Sequence, residues 1–182
     1  MKIYYVGSQS SGKTTLARYT SDKYKLPLLP ESARLVLSEL ELQIDSLRAD
    51  IDLVNKFQTQ VFYRQIAEEK KYDNFCADRS LLDSLAYSLQ HSTVGSVLAA
   101  DPILKQYVDR LKNSVVFFVR PSRITVKQDG VRETTSWDGI ISIDAIIKSL
   151  LEMYSVRYFI INTDSMQERV RIIDSVLALA GR

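Results

Sequence analysis

The sequence predicts an α/β fold in which one parallel sheet is covered by helices on both faces. Three observations carry this. Short apolar runs alternate with longer stretches of helical periodicity from one end of the chain to the other, the pattern of successive strand–helix units. The fourth run, Val115 to Val119, is apolar throughout, as a strand buried on both faces must be. The first run leads into Gly7-Ser8-Gln9-Ser10-Ser11-Gly12-Lys13-Thr14, which satisfies G-x-x-x-x-G-K-[ST] at every specified position. That motif belongs between a strand and a helix, and here an apolar strand precedes it and a helical pattern follows.

The elements follow in order. Ile3 to Val6 reads as the first strand, and Thr14 to Lys25 as a helix with Leu16, Ala17, Tyr19 and Thr20 at helical spacing. Leu26 to Leu29 is a second short strand, ended by Pro30, and Ala33 to Leu40 is helical. Ile51 to Lys71 is the longest helical pattern, with Leu53, Val54, Phe57, Val61, Phe62 and Ile66 apolar. Phe75 to Ala77 is the third strand. Leu81 to Leu89 and Pro102 to Leu111 are helices, the latter with Asp101 as a natural N-cap before Pro102. After the fourth strand come a helix from Ile141 to Tyr154, a fifth strand from Tyr158 to Ile161 and a closing helix from Met166 to Leu179. Pro121 to Gly139 is the least regular stretch, polar and charged, and a loop of that length in a compact domain is usually functional. With no linker, repeat or low-complexity segment, residues 1–182 are expected to form one domain.

Composition narrows the function. The 182 residues suffice for a sizeable core, and the 46% apolar and 25% charged fractions are those of an ordinary globular protein. A net charge of +2 supplies no global field for nucleic acid or an anionic membrane. Cys76 is the single cysteine, so no intramolecular disulfide forms and a reducing, cytoplasmic setting is expected. His91 is the single histidine, which excludes a multi-histidine metal site. The first apolar run is too short for a signal peptide, and no stretch approaches the ~20 apolar residues of a membrane helix. A monomer or homodimer is expected.

The glycine-rich motif implies ATP and Mg2+. Gly7 and Gly12 let the backbone wrap so that the N–H groups across Ser8, Gln9, Ser10 and Ser11 face phosphate oxygens, and the helix that follows adds its positive end. Lys13 reaches the β- and γ-phosphates, Thr14 offers a hydroxyl to the metal, and Thr15 completes the ATP-binding set.

Further candidates lie at the ends of later strands, where ligands of open α/β sheets sit. Asp78 closes the third run and can hold the magnesium ion or orient the acceptor, although Asp78 or Ser80 also suits a cap for the helix at Leu81. Arg79 is a candidate clamp for phosphate or substrate. Glu31, at the end of the second strand, and Asp78 are the two carboxylates that can take a proton from an attacking hydroxyl. Arg34 shares a helix face with Glu31. Phe57 reads as core, and Gln58 beside it as a reader of a base or amide. Asp83 joins Glu31, Arg34, Gln58 and Arg79 in the substrate-binding set. Arg120, Arg123, Lys127 and Arg132 cluster in and around the irregular stretch, where a closing loop would deliver an arginine to the transferring phosphoryl group. Arg132 is the first choice for that catalytic role and Arg123 the second, assigned to the ATP side, with Trp137 pinning the loop or packing. Cys76 reads as a small buried hydrophobe, and His91 as a helix-end or solvent-facing residue.

Taken in order, Gly7 to Thr14, Glu31-Ser32-Ala33-Arg34, Phe57-Gln58, Asp78-Arg79-Ser80-Leu81-Leu82-Asp83 with Tyr87, and Asp129-Gly130-Val131-Arg132 resemble a known family. It is the AAA-type P-loop predicted-kinase family related to the ribosylnicotinamide kinase domain of the bacterial NAD regulator, with further similarity to nucleoside and thymidylate kinases. The resemblance spans nearly the whole chain, although only the P-loop is specific by itself. It implies a P-loop NTPase fold: a five-stranded parallel sheet in the order 2-3-1-4-5, flanked by helices, with a small lid at about 121–139. It also implies ATP-dependent phosphorylation of a hydroxyl or phosphate on a nucleoside-like or nucleotide-like small molecule. Phe57-Gln58 is similar to the helix by which deoxyribonucleoside kinases read a base, and Asp78-Arg79-Ser80 to the strand-end motif of those kinases. Arg79, directly after the strand-end acid, departs from the ribosylnicotinamide kinases. Two other readings stand beside this one: a kinase acting on DNA ends or hydroxymethylated bases, disfavoured by the near-neutral charge, and a regulatory P-loop ATPase with no acceptor.

Overall fold

A computed structural model describes residues 1–40, 47, 49–124 and 136–180. Its five strands are β1 (Lys2–Val6), β2 (Leu28–Leu29), β3 (Phe75–Asp78), β4 (Val115–Val119) and β5 (Phe159–Ile161). They form one parallel sheet in the order β2-β3-β1-β4-β5, as the family resemblance implies. The helices are α1 (Lys13–Tyr24), α2 (Ser32–Glu39), α3 (Ile51–Glu69), α4 (Leu81–His91), α5 (Gly95–Ala99), α6 (Pro102–Leu111), α7 (Trp137–Met153) and α8 (Met166–Ala180).

The two-residue period of a strand explains why β1 and β4 carry apolar residues without interruption. Ile3, Tyr5, Phe117 and Val119 face a core shared with Leu16 and Ala17 of α1 and Ile173 and Leu177 of α8. Tyr4, Val6, Val116 and Phe118 face the opposite core, built with α3, α4, α6 and α7. A third cluster, Val36, Val54, Phe57 and Val61 with Leu47, packs α2 against α3 away from the sheet. The register pairs Tyr5 with Asp78 and Val6 with Phe118. The glycine-rich loop therefore leaves β1 at the carboxyl edge of the sheet, beside the end of β3, where the site is built.

One buried carboxylate has a purely internal role. Glu69 accepts from Tyr4 Oη at 2.7 Å, Tyr107 Oη at 2.7 Å and Gln65 Nε2 at 2.8 Å. Burial raises its pKa while these three donors oppose the rise. Gln65 in turn accepts from Ser32 Oγ at 2.7 Å, linking this network to the start of α2.

The elements depart from the sequence reading in three places. α5 is a single turn, too short to show a period, and Gly95 begins it because a Cβ there would lie 2.7–2.9 Å from the backbone of Ser88 and Leu89. β2 shortens to Leu28–Leu29 because Lys25 takes a left-handed backbone (φ 55°) that ends α1. α7 starts at Trp137 rather than Ile141: Ser136 Oγ accepts from Gly139 N at 3.1 Å and Asp138 sits in the first turn, so the last residues of the expected lid stretch are helical. Its residues 125–135 lie outside the described residues. Among the described residues, no helix is long and apolar enough to cross a membrane.

Candidate active site

The loop after β1 is shaped by close approach. Gly7 has φ 144°, and a Cβ there would sit 2.3 Å from the Val119 carbonyl oxygen. Gly12 has φ 90°, and a Cβ would meet Arg169 Nη1 at 2.9 Å. The loop curls around Lys13, whose Nζ donates to Ser8 O at 2.5 Å and Ser11 Oγ at 3.2 Å, while Ser11 Oγ donates to Ser8 O at 3.0 Å. Burial, aided by the charge of Arg79, pushes the Lys13 ammonium down to about 8, against the pull of Asp78, Asp83 and Glu31. Ser8 Oγ is buried without a hydrogen-bond partner among the described residues. Arg169, 1% exposed on α8, braces the loop from behind by donating to Ser11 O at 2.7 Å and Thr163 O at 2.6 Å.

Two acids meet the loop from the β3 side and do different things. Thr14 Oγ1 donates to Asp78 Oδ2 at 2.5 Å, which places a hydroxyl and a carboxylate together at the loop's edge. Oxygen ligands of this kind fit magnesium, which completes its shell with phosphate oxygens and water. Asp83 is fully buried in the first turn of α4. Its Oδ1 accepts from Gly7 N at 2.9 Å and its Oδ2 from Ser80 N and Ser80 Oγ, both at 2.9 Å. Ser80 Oγ also accepts from Leu82 N, so the pair forms a capping box that ties the phosphate loop to the start of α4.

Next to the loop opens a cavity of about 790 Å3, lined from α2, α3, α4 and α7 and by Gln9 of the loop itself. Its apolar wall is Phe57, Val54 and Val61, and its polar groups include Glu31, Arg34, Gln58, Arg79 and Tyr87. Glu31 sits between two cations: Arg34 Nε is 3.0 Å from Oε2 and Arg79 Nε 2.9 Å from Oε1. The first pair is at the mouth, where the Arg34 side chain is 62% exposed, and the second is inside. Arg79 has a left-handed backbone (φ 90°), uncommon for a side chain of this size. Its alignment with Glu31 falls short of a hydrogen bond, and its Nη1 is buried without a partner among the described residues. Burial works against the guanidinium charge, but Glu31 first, then Tyr87, Asp83 and Asp78, hold its pKa well above the ordinary arginine value. Gln58 is buried, with Oε1 3.3 Å from Ser88 Oγ.

The structure thus gathers Gly7 to Thr14 with Asp78 on one side, and Glu31, Arg34, Gln58 and Arg79 around one cavity on the other. It sets Asp83 beneath the loop, outside the cavity lining. Thr15 is exposed on α1. Arg123 is exposed, with its guanidinium 5.1 Å from the Trp137 ring centroid. Arg132 and Lys127 lie outside the described residues. Cys76 is fully buried, its thiol pushed up to about 12 by burial. His91 is exposed at the end of α4, near the cavity mouth and the Tyr87 ring. Three residues in and around the site escape sequence reasoning, Arg169, Gln65 and Asp144, and so do the contacts of Tyr87. Asp144, on α7, is 2% exposed and pairs with Arg120 Nε at 2.8 Å at the end of β4. Arg169 carries no local signal, since a charged residue on a closing helix reads as solvated until the fold buries it.

A family model described as an AAA domain matches residues 2–169. No curated protein sequence matches the chain. Among solved structures, deoxyadenosine kinase from M. mycoides, with dCMP and dCDP bound, is similar at 17% identity and TM-score 0.71, covering 98% of this chain and 99% of that one. The NadR protein in complex with NAD and AMP-PNP is similar at 16% identity and TM-score 0.71, covering 100% of this chain and 49% of that one. Shikimate kinase from Acinetobacter baumannii, in complex with shikimate, is similar at 15% identity and TM-score 0.61, covering 100% and 94%. At these identities the likeness is one of fold: the P-loop kinase fold.

Proposed function

We propose that this chain, which belongs to the AAA domain family, is a kinase that transfers the γ-phosphoryl group of ATP, with magnesium, to a hydroxyl of a nucleoside-like small molecule. The observation that carries this reading is the shared wall. A phosphate loop and a separate cavity holding a carboxylate meet at Gln9 and Arg79. An ATPase without an acceptor has no need of the second compartment, and a transferase requires it. The fold neighbours named as deoxyadenosine and shikimate kinases support the same class.

The roles then divide by position. The loop N–H groups and Lys13 hold the donor phosphates, with Arg123 assigned to the same side and Arg132 to the transferring phosphoryl group. Thr14 and Asp78 would hold magnesium, which would supply neutralising charge to the phosphate oxygens. We assign Asp78, bonded to Thr14, to the metal side, and Glu31, which lines the cavity, to the role of base. Glu31 takes the acceptor hydroxyl's proton, the acceptor oxygen bonds to the γ-phosphorus, and the bond to ADP breaks. Arg79 Nη1 is the donor free to meet charge on the transferring group. Phe57 and Gln58 supply an apolar face and an amide for a base.

The test is ATP consumption by purified protein with magnesium, against nucleosides, nucleoside monophosphates, nicotinamide riboside, shikimate and oligonucleotides, with products identified by mass spectrometry. One small acceptor, phosphorylated on a hydroxyl, is the expected result. Stimulation by DNA alone, or hydrolysis indifferent to any acceptor, overturns it.

A further inference from the structure

One aromatic side chain touches both halves of the site. The Tyr87 hydroxyl accepts from Gln9 N at 3.0 Å and donates to Gln9 Oε1. Its ring lies 5.0 Å from the Arg79 guanidinium carbon, in cation–π contact. A phenol has one proton to give, and here both the proton and an oxygen lone pair go to the same loop residue. The phosphate loop is therefore held at Gln9 through its backbone and its side chain together.

The Arg79 end is held far less fully. The left-handed backbone at φ 90° brings the side chain into the cavity, and the residue is 7% exposed. Its Nε faces Glu31 at 2.9 Å, but that contact is misaligned and Nη1 has no partner among the described residues. The Tyr87 ring is the other group set against the guanidinium, 5.0 Å from its carbon. A displacement of Gln9 is passed through the rigid phenol ring to the aim of Arg79, because one planar group bears both contacts. Simple packing is a poorer account: a residue that only filled space would need no hydroxyl doubly bonded to the loop.

We propose that Tyr87 is a positioning residue that couples occupancy of the phosphate loop to the orientation of Arg79 on the acceptor side. The inference rests on the P-loop kinase reading and adds to it a line of communication between the two sites. When phosphates draw the loop in, Gln9 moves, Tyr87 follows, and Arg79 swings with it. By reciprocity, what alters Arg79 alters donor affinity through the same ring.

The test is a double-mutant cycle on Mg·ADP binding, followed by calorimetry on the full chain. ADP lacks the γ-phosphate, so a direct contact of Arg79 with the transferring group does not enter. Tyr87→Phe keeps the ring and removes the tie to the loop. Arg79→Lys keeps the charge beside Glu31 and takes the guanidinium off the Tyr87 ring, and thermal melts of each variant check the fold. The expected result is a Mg·ADP Kd raised about 5-fold by Tyr87→Phe, which removes both hydrogen bonds to Gln9. Arg79→Lys should raise it about 3-fold alone and less than 1.5-fold in the Tyr87→Phe background. Equal effects of Arg79→Lys in both backgrounds, or an unchanged Kd for Tyr87→Phe, overturn the coupling and leave the kinase reading intact. Failure of the wild-type chain to bind Mg·ADP overturns the kinase reading, and this inference with it.

Discussion

The glycine-rich loop and the cavity beside it share a wall, yet they hold their charged groups differently. In the loop, Lys13 and Ser11 bond to the loop itself, with the lysine folded onto the Ser8 carbonyl, and Thr14 bonds Asp78, although Ser8 Oγ is buried without a partner among the described residues. In the cavity, Arg79 sits on a strained backbone with a buried nitrogen unpartnered, and Glu31 is balanced between two cations. The difference is instructive. A loop that closes on its own ammonium must exchange those bonds for phosphate oxygens when the donor arrives, whereas the cavity keeps a donor group ready in an arrangement that costs stability.

The largest effect should come from the loop. Lys13→Met leaves Ser8 O and Ser11 Oγ without their donor and removes the charge that meets the phosphates. We expect kcat/KM to fall by at least about 10³-fold, in the range seen when a cation that stabilises a transferring phosphoryl group is lost. Steady-state rates near the wild-type value would mean that the loop is not the donor site, and the contrast between the two regions would lose its meaning.

Glu31→Gln acts on the cavity side. The amide keeps the shape but cannot take a proton, so kcat should fall about 10²-fold while Mg·ADP affinity stays within about 2-fold. Asp78→Asn should do the reverse and weaken Mg·ADP, because Asp78 bonds Thr14, the pair proposed to hold magnesium. Equal weakening of Mg·ADP by both variants would erase the division of labour between the two acids.

Much of this architecture is legible in the residues, and the reasons are physical. Val115 to Val119 reads as a central strand because burial on both faces forbids polar residues, and the structure gives those bounds. Asp101-Pro102 announces the start of α6 because a cap and a fixed φ both belong there. The phosphate loop is legible because its glycines answer local demands, one a close approach at Gly7 and the other a left-handed turn at Gly12. What escapes the sequence is contact between distant residues. Tyr87 reaches Gln9 across 78 positions, and Arg169 reaches Ser11 across 158. No local period encodes either. α5 is missed because five residues are too few to show a repeat.

Asp83 shows how a strand-end acid can belong to either region, and it gives the smallest of the expected effects. Its position among Asp78, Arg79 and Ser80 suggests a hand on the substrate, but its two oxygens are spent on Gly7 N, Ser80 N and Ser80 Oγ. Asn at this position keeps one acceptor oxygen and turns an NH2 group toward a backbone N–H, so one of the two attachments is lost and a donor is left facing a donor. In a fully buried setting that should cost about 2 kcal/mol, which for a chain of this length lowers Tm by roughly 5 °C. Because Asp83 ties the loop at Gly7 to the start of α4, loosening it should lower Mg·ADP affinity several-fold while the acceptor KM holds. A raised acceptor KM with an unchanged melt would instead put Asp83 in the cavity, as a substrate-binding residue, and move the boundary between the two regions to the other side of α4.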